Sequence, residues 1–379
     1  MKQKYSVINP HLLLINPWLY DFAAYDYWAK PLGLLILAAI LRENGYRLSY
    51  LDCLDIHHPT LKQHPQLKAS RKIYGEGHFI KQTVPKPMVI KDIPRNYRRY
   101  GIPPHLFRED LQKLEPPAAV LVTSGMTYWY PGVIAVNQIV KEVFPNTPVI
   151  LGGIYASLCP SHARKYSRAD FVIIGEGERA ALKLLSQLTG RTITYQPQEN
   201  IDSYPYPAWD LYPNLDYIVL LTSRGCPCHC TYCASPLLAS RFRRRNPIQV
   251  VDEIQYWIQK YKVQNFAFYD DALAYQPKEH FLPLLREIIR RKIEVYFHCL
   301  NGLHVRGITA QVARLMYNCQ FRTIRLGLET YSHQRQLQTG GKVNNDEFVA
   351  TVRYLQEAGY HPSEIGVYLL GGKNLRLPC

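Results

Sequence analysis

Nine cysteines occur in 379 residues, and four of them fall between 226 and 233. The run Ser223-Arg-Gly-Cys226-Pro-Cys228-His-Cys230-Thr-Tyr-Cys233 gives Cys226, Cys230 and Cys233 the spacing C-x3-C-x2-C. Three thiolates on one short loop can each hold one iron of a 4Fe-4S cluster, because soft thiolate is the ligand such clusters use. Three ligands on four irons leave one iron open to another molecule. Zinc is the competing reading. A structural zinc site wants four ligands, usually with a second cysteine or histidine pair further along. Cys228 or His229 completes such a set on paper, but ligands packed this tightly rarely close a tetrahedron. Cys228 therefore reads as a loop residue, and the metal ligands as Cys226, Cys230 and Cys233.

A loop of this kind has to be presented by a rigid scaffold, and the chain supplies alternating strands and helices. In the N-terminal part, His11 to Pro17, Arg47 to Leu54, Ala118 to Thr123, Pro148 to Gly152 and Phe171 to Ile174 read as strands. Pro31 to Gly45, Pro131 to Phe144 and Arg179 to Leu188 read as helices. Strands apolar throughout and alternating with helices imply a parallel sheet covered on both faces. That is an α/β, doubly wound, Rossmann-like domain, with its ligand beyond the carboxyl ends of the strands. A second alternation begins at Tyr217, with strands near 217–222, 265–269, 294–299, 323–328 and 364–370. Helices at 247–261, 279–291, 309–319 and 346–359 separate them, which suggests a β/α barrel or part of one. The expected division is a first domain at 1–195, a proline-rich linker at 196–216 and a second domain at 217–379.

Composition sets the outer limits. Hydrophobic residues are 47% and charged residues 20%, which fits a globular chain rather than a disordered one. Lys plus Arg is 45 against 30 Asp plus Glu, a net charge of +15, so an anionic ligand or partner is expected. Residues 61–110 hold 11 basic and 4 acidic side chains, about half of that excess, and break the alternation. A loop this long is usually functional or disordered. It reads as a solvated insertion or as an arm closing over an anionic ligand. Nucleic-acid binding ranks lower, because no recognition motif accompanies the basic residues. Gly75-Glu76-Gly77 is no phosphate loop, since no Gly-Lys-Ser/Thr follows. No apolar run approaches the roughly 18 residues of a membrane span. With no export signal and with free cysteines, the expected location is cytoplasmic.

With its aromatic Tyr232 before the last cysteine, the Cys226, Cys230, Cys233 motif resembles the radical S-adenosylmethionine (SAM) superfamily. Thr222-Ser-Arg-Gly225 before it is similar to the subgroup with an N-terminal cobalamin-binding domain of flavodoxin-like fold. The resemblance implies SAM chelated at the open iron and reduced by one electron to a 5′-deoxyadenosyl radical. It implies an electron donor such as flavodoxin or ferredoxin, and a small organic substrate. It also implies SAM contacts from Tyr232, from Asp270 and Asp271 after the second strand of that domain, and from Glu329 after the fourth. His298 reads as a satisfied core histidine. In the first domain, Ser124, Met126 and Thr127, then Gly152 and Gly153, then Gly175, Glu176 and Gly177 follow three successive strands. They are the expected cobalamin contacts. Methyl transfer to an unactivated carbon is the leading activity. Radical rearrangement or cyclisation, or a non-catalytic iron-sulfur remnant, are the alternatives.

Two departures from the pattern stand out. Many such cobalamin domains offer cobalt a histidine in D-x-H-x-x-G after the first strand, but here Asn16-Pro-Trp-Leu-Tyr20 follows it. Asp55-Ile-His57 comes after the second strand and lacks the glycine. Bound cobalamin is therefore expected without a histidine from this motif. The family barrel also has six units, whereas five strands are readable here. The polar ending Lys373 to Cys379 suggests a truncated or frameshifted chain.

Overall fold

A computed structural model describes residues 9–64 and 66–370. The expected abrupt ending at Lys373 to Cys379 lies outside them. The described residues fall into two compact units. The first takes the chain up to Lys72, Glu76–Gln198 and Tyr204–Asn214. The second takes Ile73–Gly75, Glu199–Ser203 and the chain from Leu215. The proline-rich 196–216 segment is thus shared between the units.

The first unit is built on strands β1 (His11–Asn16), β2 (Arg47–Asp52), β3 (Ala119–Val122), β4 (Val149–Leu151) and β5 (Phe171–Val172), all parallel, in the order β5-β4-β3-β1-β2. The order reverses between β1 and β3, which makes the carboxyl ends of those two strands a topological switch point. Leu12 to Ile15 are fully buried, as an apolar strand covered on both faces requires. Helices α1 (Leu32–Glu43), α2 (Pro104–Gln112), α3 (Tyr130–Val143), α4 (Ile154–Leu158), α5 (Pro160–Tyr166) and α6 (Glu178–Thr189) complete the unit. Leu13, Val120, Val122 and Val149 pack against Val133, Val136 and Val140 of α3.

Residues 61–110 are not one long loop. Leu19–Asp21, Arg98–Tyr100 and Lys81–Thr83 pair into a small antiparallel sheet, and Ser70–Arg71 pairs with Gly77–His78. Leu19, Leu54, Phe79 and Tyr100 form a second apolar cluster beneath it. Arg71 is committed to Asp26, at 2.7 Å with the carboxylate buried, so one of the basic residues is a structural ion pair.

The second unit carries β6 (Ile218–Leu220), β7 (Asn265–Phe268), β8 (Tyr296–Cys299), β9 (Phe321–Glu329) and β10 (Ile365–Leu369), parallel and in sequential order. Helices α7 (Ser235–Leu238), α8 (Pro247–Tyr261), α9 (Phe281–Arg290), α10 (Ala310–Asn318), α11 (His333–Gln338) and α12 (Asn345–Glu357) lie between the strands. Their starts are written in the sequence. Asn246 caps α8 through Ile248 N with Pro247 at the first position, and Asn344 and Glu347 form a capping box on α12. Phe266, Phe268, Phe297 and Phe321 fill the centre.

His298 in β8 is a core residue. It is fully buried, with Nδ1 3.1 Å from Thr323 Oγ1 and Nε2 3.2 Å from Asn265 Oδ1. Burial pulls its imidazole down to about 3. The unfolded chain takes up a proton near pH 6.5, whereas the folded chain refuses it until about 3. Its contribution is therefore complete above pH 6.5 and is lost as pH falls toward 3, by up to about 1.4 kcal/mol per pH unit. His298→Gln is expected to have a melting temperature that falls less between pH 6.5 and 4.5 than the wild type. Equal slopes would contradict this.

Candidate functional site

In the second unit, the cysteine loop hangs from the carboxyl end of β6. Its base is closed by a short antiparallel ladder, Ser223 opposite Arg244 and Arg224 opposite Arg243. Gly225 turns the chain with φ +79°, where a Cβ would stand 2.7 Å from Arg241 O, so only glycine fits. Asp270, at the end of β7, fastens the entry. Its carboxylate accepts from Thr222 N at 3.0 Å, Thr222 Oγ1 at 2.7 Å and Ser223 Oγ at 2.5 Å. It is 4% exposed, and burial raises its pKa despite these bonds. Asp270 therefore sits beneath the loop and positions it, whereas its neighbour Asp271 is exposed at the rim. Asp271 accepts from Ser235 Oγ at 2.6 Å.

Cys226, Cys228 and Cys230 are half-buried and Cys233 is exposed. Cys230 O receives Cys233 N at 3.0 Å, which folds the last three residues into a turn. Ser235 N donates to Cys233 Sγ at 3.4 Å. Cys226 and Cys228 lie side by side: the Cys226 thiol is pushed up by Cys228 and by burial, and the Cys228 thiol is pulled down to about 7 by Cys226. Among the described residues, no three His, Cys, Asp or Glu side chains converge on a single ion. A cubane binds each thiolate to a different iron and asks for no such convergence, so three soft donors on one accessible loop fit it.

Glu329 ends β9 in the left-handed region, φ +65°, where a residue with a Cβ is strained and its surroundings must hold it. The strand register shifts between Gly327 and Glu329. Glu329 Oε1 lies 3.5 Å from Lys342 Nζ, and a Cβ on Gly327 would press on both, at 2.8 and 3.1 Å. The Tyr232 phenol lies beside Glu329 and Cys230, and burial followed by the Glu329 charge drives its pKa well up. The structure thus brings Tyr232, Glu329 and the cysteine loop together.

A cavity of about 570 Å³ opens next to this loop. Its walls are Pro227–His229, the residues after β7 (Tyr275–Pro277), those after β8 (His304, Arg306 and Gly307) and Gly340–Lys342. Sequence reasoning missed Lys342, His304 and Arg306. The available signal was Gly340-Gly341-Lys342 after a short helix.

In the first unit, the segments after β3, β4 and β5 are laced together. Ser124 Oγ donates to Gly152 O at 2.7 Å, and Ser124 O receives Ile154 N at 2.8 Å. Ser157 Oγ donates to Gly153 O at 2.8 Å and accepts from Gly175 N at 2.9 Å. Gly153 has φ +93°, and a Cβ there would stand 2.4 Å from Ser124 O. A Cβ on Gly152 or Gly175 would meet nothing within 4 Å, so backbone is open on that side. Met126 and Glu176 are exposed, Thr127 opens a short helical turn, and Gly177 precedes α6. The rim is thus held by side-chain and backbone hydrogen bonds and leaves backbone accessible at Gly152 and Gly175. No histidine follows β1. Asn16 Nδ2 donates to Asp52 Oδ1 at 2.8 Å, and Trp18 Nε1 to Ile102 O at 2.7 Å.

Residues 220–376 match the radical SAM superfamily. An uncharacterized methyltransferase of Pyrococcus horikoshii is 23% identical over 283 residues, 67% of this chain and 60% of that protein. The cytidylyl-2-hydroxyethylphosphonate methyltransferase of Streptomyces wedmorensis is 23% identical over 332 residues, 72% of this chain and 55% of that protein. The chain therefore spans 60% and 55% of these relatives' lengths. Among solved structures, the radical S-adenosylmethionine methyltransferase TsrM from Kitasatospora setae, with cobalamin and a 4Fe-4S cluster bound, superposes with TM-score 0.66 at 17% identity. The match covers 96% of this chain and 69% of that one, so the two share a fold. Among the described residues, no helix is long and apolar enough to cross a membrane.

Proposed function

We propose that this chain, which carries a radical SAM domain, is a cobalamin-dependent radical SAM methyltransferase acting on an unactivated carbon of an organic substrate. The observation that carries the reading is the half-exposed loop of Cys226, Cys230 and Cys233, set on the carboxyl end of β6 with Tyr232 and Glu329 beside it. The second unit reads as a partial β/α barrel, since its strands follow in sequential order, and chemistry at the strands' carboxyl ends is the rule for that fold. The first unit reads as the cobalamin domain, its flavodoxin-like strand order placing the glycine-lined rim at the ligand end of the sheet.

When bound, the cluster supplies one-electron cleavage of SAM and cobalamin carries a methyl group. The protein's work is placement. Cys226, Cys230 and Cys233 would hold the cluster and leave one iron for SAM. Asp270 and Gly225 fix the loop. Tyr232, Asp271 and Glu329 would face SAM. Ser124, Met126, Thr127, Gly152, Gly153, Gly175, Glu176 and Gly177 would line the cobalamin face, with no histidine reaching cobalt from the segment after β1. An external one-electron donor, such as flavodoxin or ferredoxin, is required.

Products separate this reading from its rival. Methyl transfer consumes SAM as methyl donor and releases S-adenosylhomocysteine as well as 5′-deoxyadenosine. Rearrangement or cyclisation releases no S-adenosylhomocysteine. The reduced, cobalamin-loaded protein with SAM is expected to form both, and 5′-deoxyadenosine alone would replace methyl transfer with rearrangement.

A further inference from the structure

We propose that the cavity beside the cysteine loop seats an acidic group of the substrate, a carboxylate or a phosphate, on Lys342 and His304 with Arg306 at its mouth. The inference rests on the radical SAM reading of the same site and names the substrate class for it.

Lys342 carries three N–H donors. Among the described residues its one polar partner is Glu329, at 3.5 Å, which is longer than a good hydrogen bond. The side chain is only 19% exposed, so its charge is mostly removed from water without being well paired. That is an expensive arrangement unless an acceptor arrives. It lines the cavity beside the cysteine loop.

His304 supplies the second observation. The residue is 8% exposed and lines the cavity. Its Nδ1 is buried with no partner among the described residues, in the wall of the cavity. The Tyr275 ring, 5.7 Å away and edge-on, fixes its orientation. Burial, with the charges of Lys342 and Arg306, lowers its pKa to about 4, so it is a neutral donor at neutral pH.

Arg306 spends only Nε on Glu347, at 2.8 and 2.9 Å. Among the described residues its two terminal nitrogens have no acceptor, and they offer a ligand the fork geometry that suits oxyanions. Three carboxylates stand near, and two are already engaged. Glu347 also accepts from Asn344 N at 3.0 Å, in the cap of α12. Asp271 is held by Ser235. Glu329 is shared between Lys342 and the Tyr232 phenol. Gly341, φ +60°, leaves the floor open, since a Cβ there would meet nothing within 4 Å.

The test is calorimetric titration of the cluster-reconstituted protein with inorganic phosphate and, separately, with succinate. At least one anion is expected to bind the wild type. Lys342→Met and His304→Gln should each weaken it about tenfold, and Lys342→Arg should retain it within about threefold. The anion that binds identifies the substrate group as phosphate or carboxylate. Saturating SAM should leave the affinity unchanged within about twofold. Competition by SAM would assign the cavity to SAM's own carboxylate and overturn the proposal, as would binding by neither anion or full binding by Lys342→Met. If SAM still perturbs the cluster while neither anion binds, this inference alone fails. If SAM leaves the cluster untouched, the radical SAM reading fails, whatever the anions do.

Discussion

Replacing Cys226, Cys230 or Cys233 with alanine is expected to lower bound iron from about four atoms per chain to nearly none. SAM cleavage should fall by about a thousandfold or more, because the cofactor carries the chemistry and the protein only places it. In the proposed site each of the three thiolates would be one ligand of a cluster with no fourth protein ligand in reserve. The nearest substitute, Cys228, lies within the same loop and is paired with Cys226. Cys228→Ala is expected to keep its iron. Iron and sulfide analysis of the four variants, reconstituted side by side, reads the prediction. Loss of iron in Cys228→Ala, with retention in any of the other three, would reassign the ligand set.

Gly153→Val should have the largest effect in the first unit. The backbone there, φ +93°, is one that side chains rarely adopt, and a Cβ would stand 2.4 Å from Ser124 O and 2.7 Å from Ser124 N. Ser124 cannot yield easily, because its carbonyl receives Ile154 N and its hydroxyl holds Gly152 O. The strain and the broken lacing together should cost about 3 kcal/mol or more. The rim after β3 and β4 would then be displaced, and cobalamin should no longer co-purify. Iron content should stay at the wild-type level, since the cysteine loop belongs to the other unit. Absorbance of bound hydroxocobalamin and iron analysis on one sample test both halves. Cobalamin retained at full occupancy would mean that the rim is not its seat.

The main sheets were readable because their central strands carry short apolar runs. Leu12 to Ile15 and Ile218 to Leu220 are buried on both faces, and no other role explains such runs. The small sheet inside 61–110 was not readable. Lys81–Thr83 is polar and exposed, and its core comes from Phe79, Tyr100 and Leu19, residues too scattered to show a period. The cysteine motif was legible because its ligands are neighbours in the chain. Lys342 was not legible beside His304 and Arg306, because it follows β9 whereas they follow β8, and only the fold gathers the two segments. Asp270 and Asp271 show the same limit at closer range. Successive residues at a strand end turn to opposite sides, so one is buried under the loop and the other stands at the rim. Their sequence alone could not say which.

The central claim is an iron-sulfur cluster with one iron open to SAM. It is tested most directly by anaerobic reconstitution with iron and sulfide, followed by electron paramagnetic resonance of the reduced protein with and without SAM. The account predicts a reduced 4Fe-4S signal that shifts or broadens when SAM is added. A cluster whose spectrum is the same with and without SAM, or no cluster at all, would contradict it.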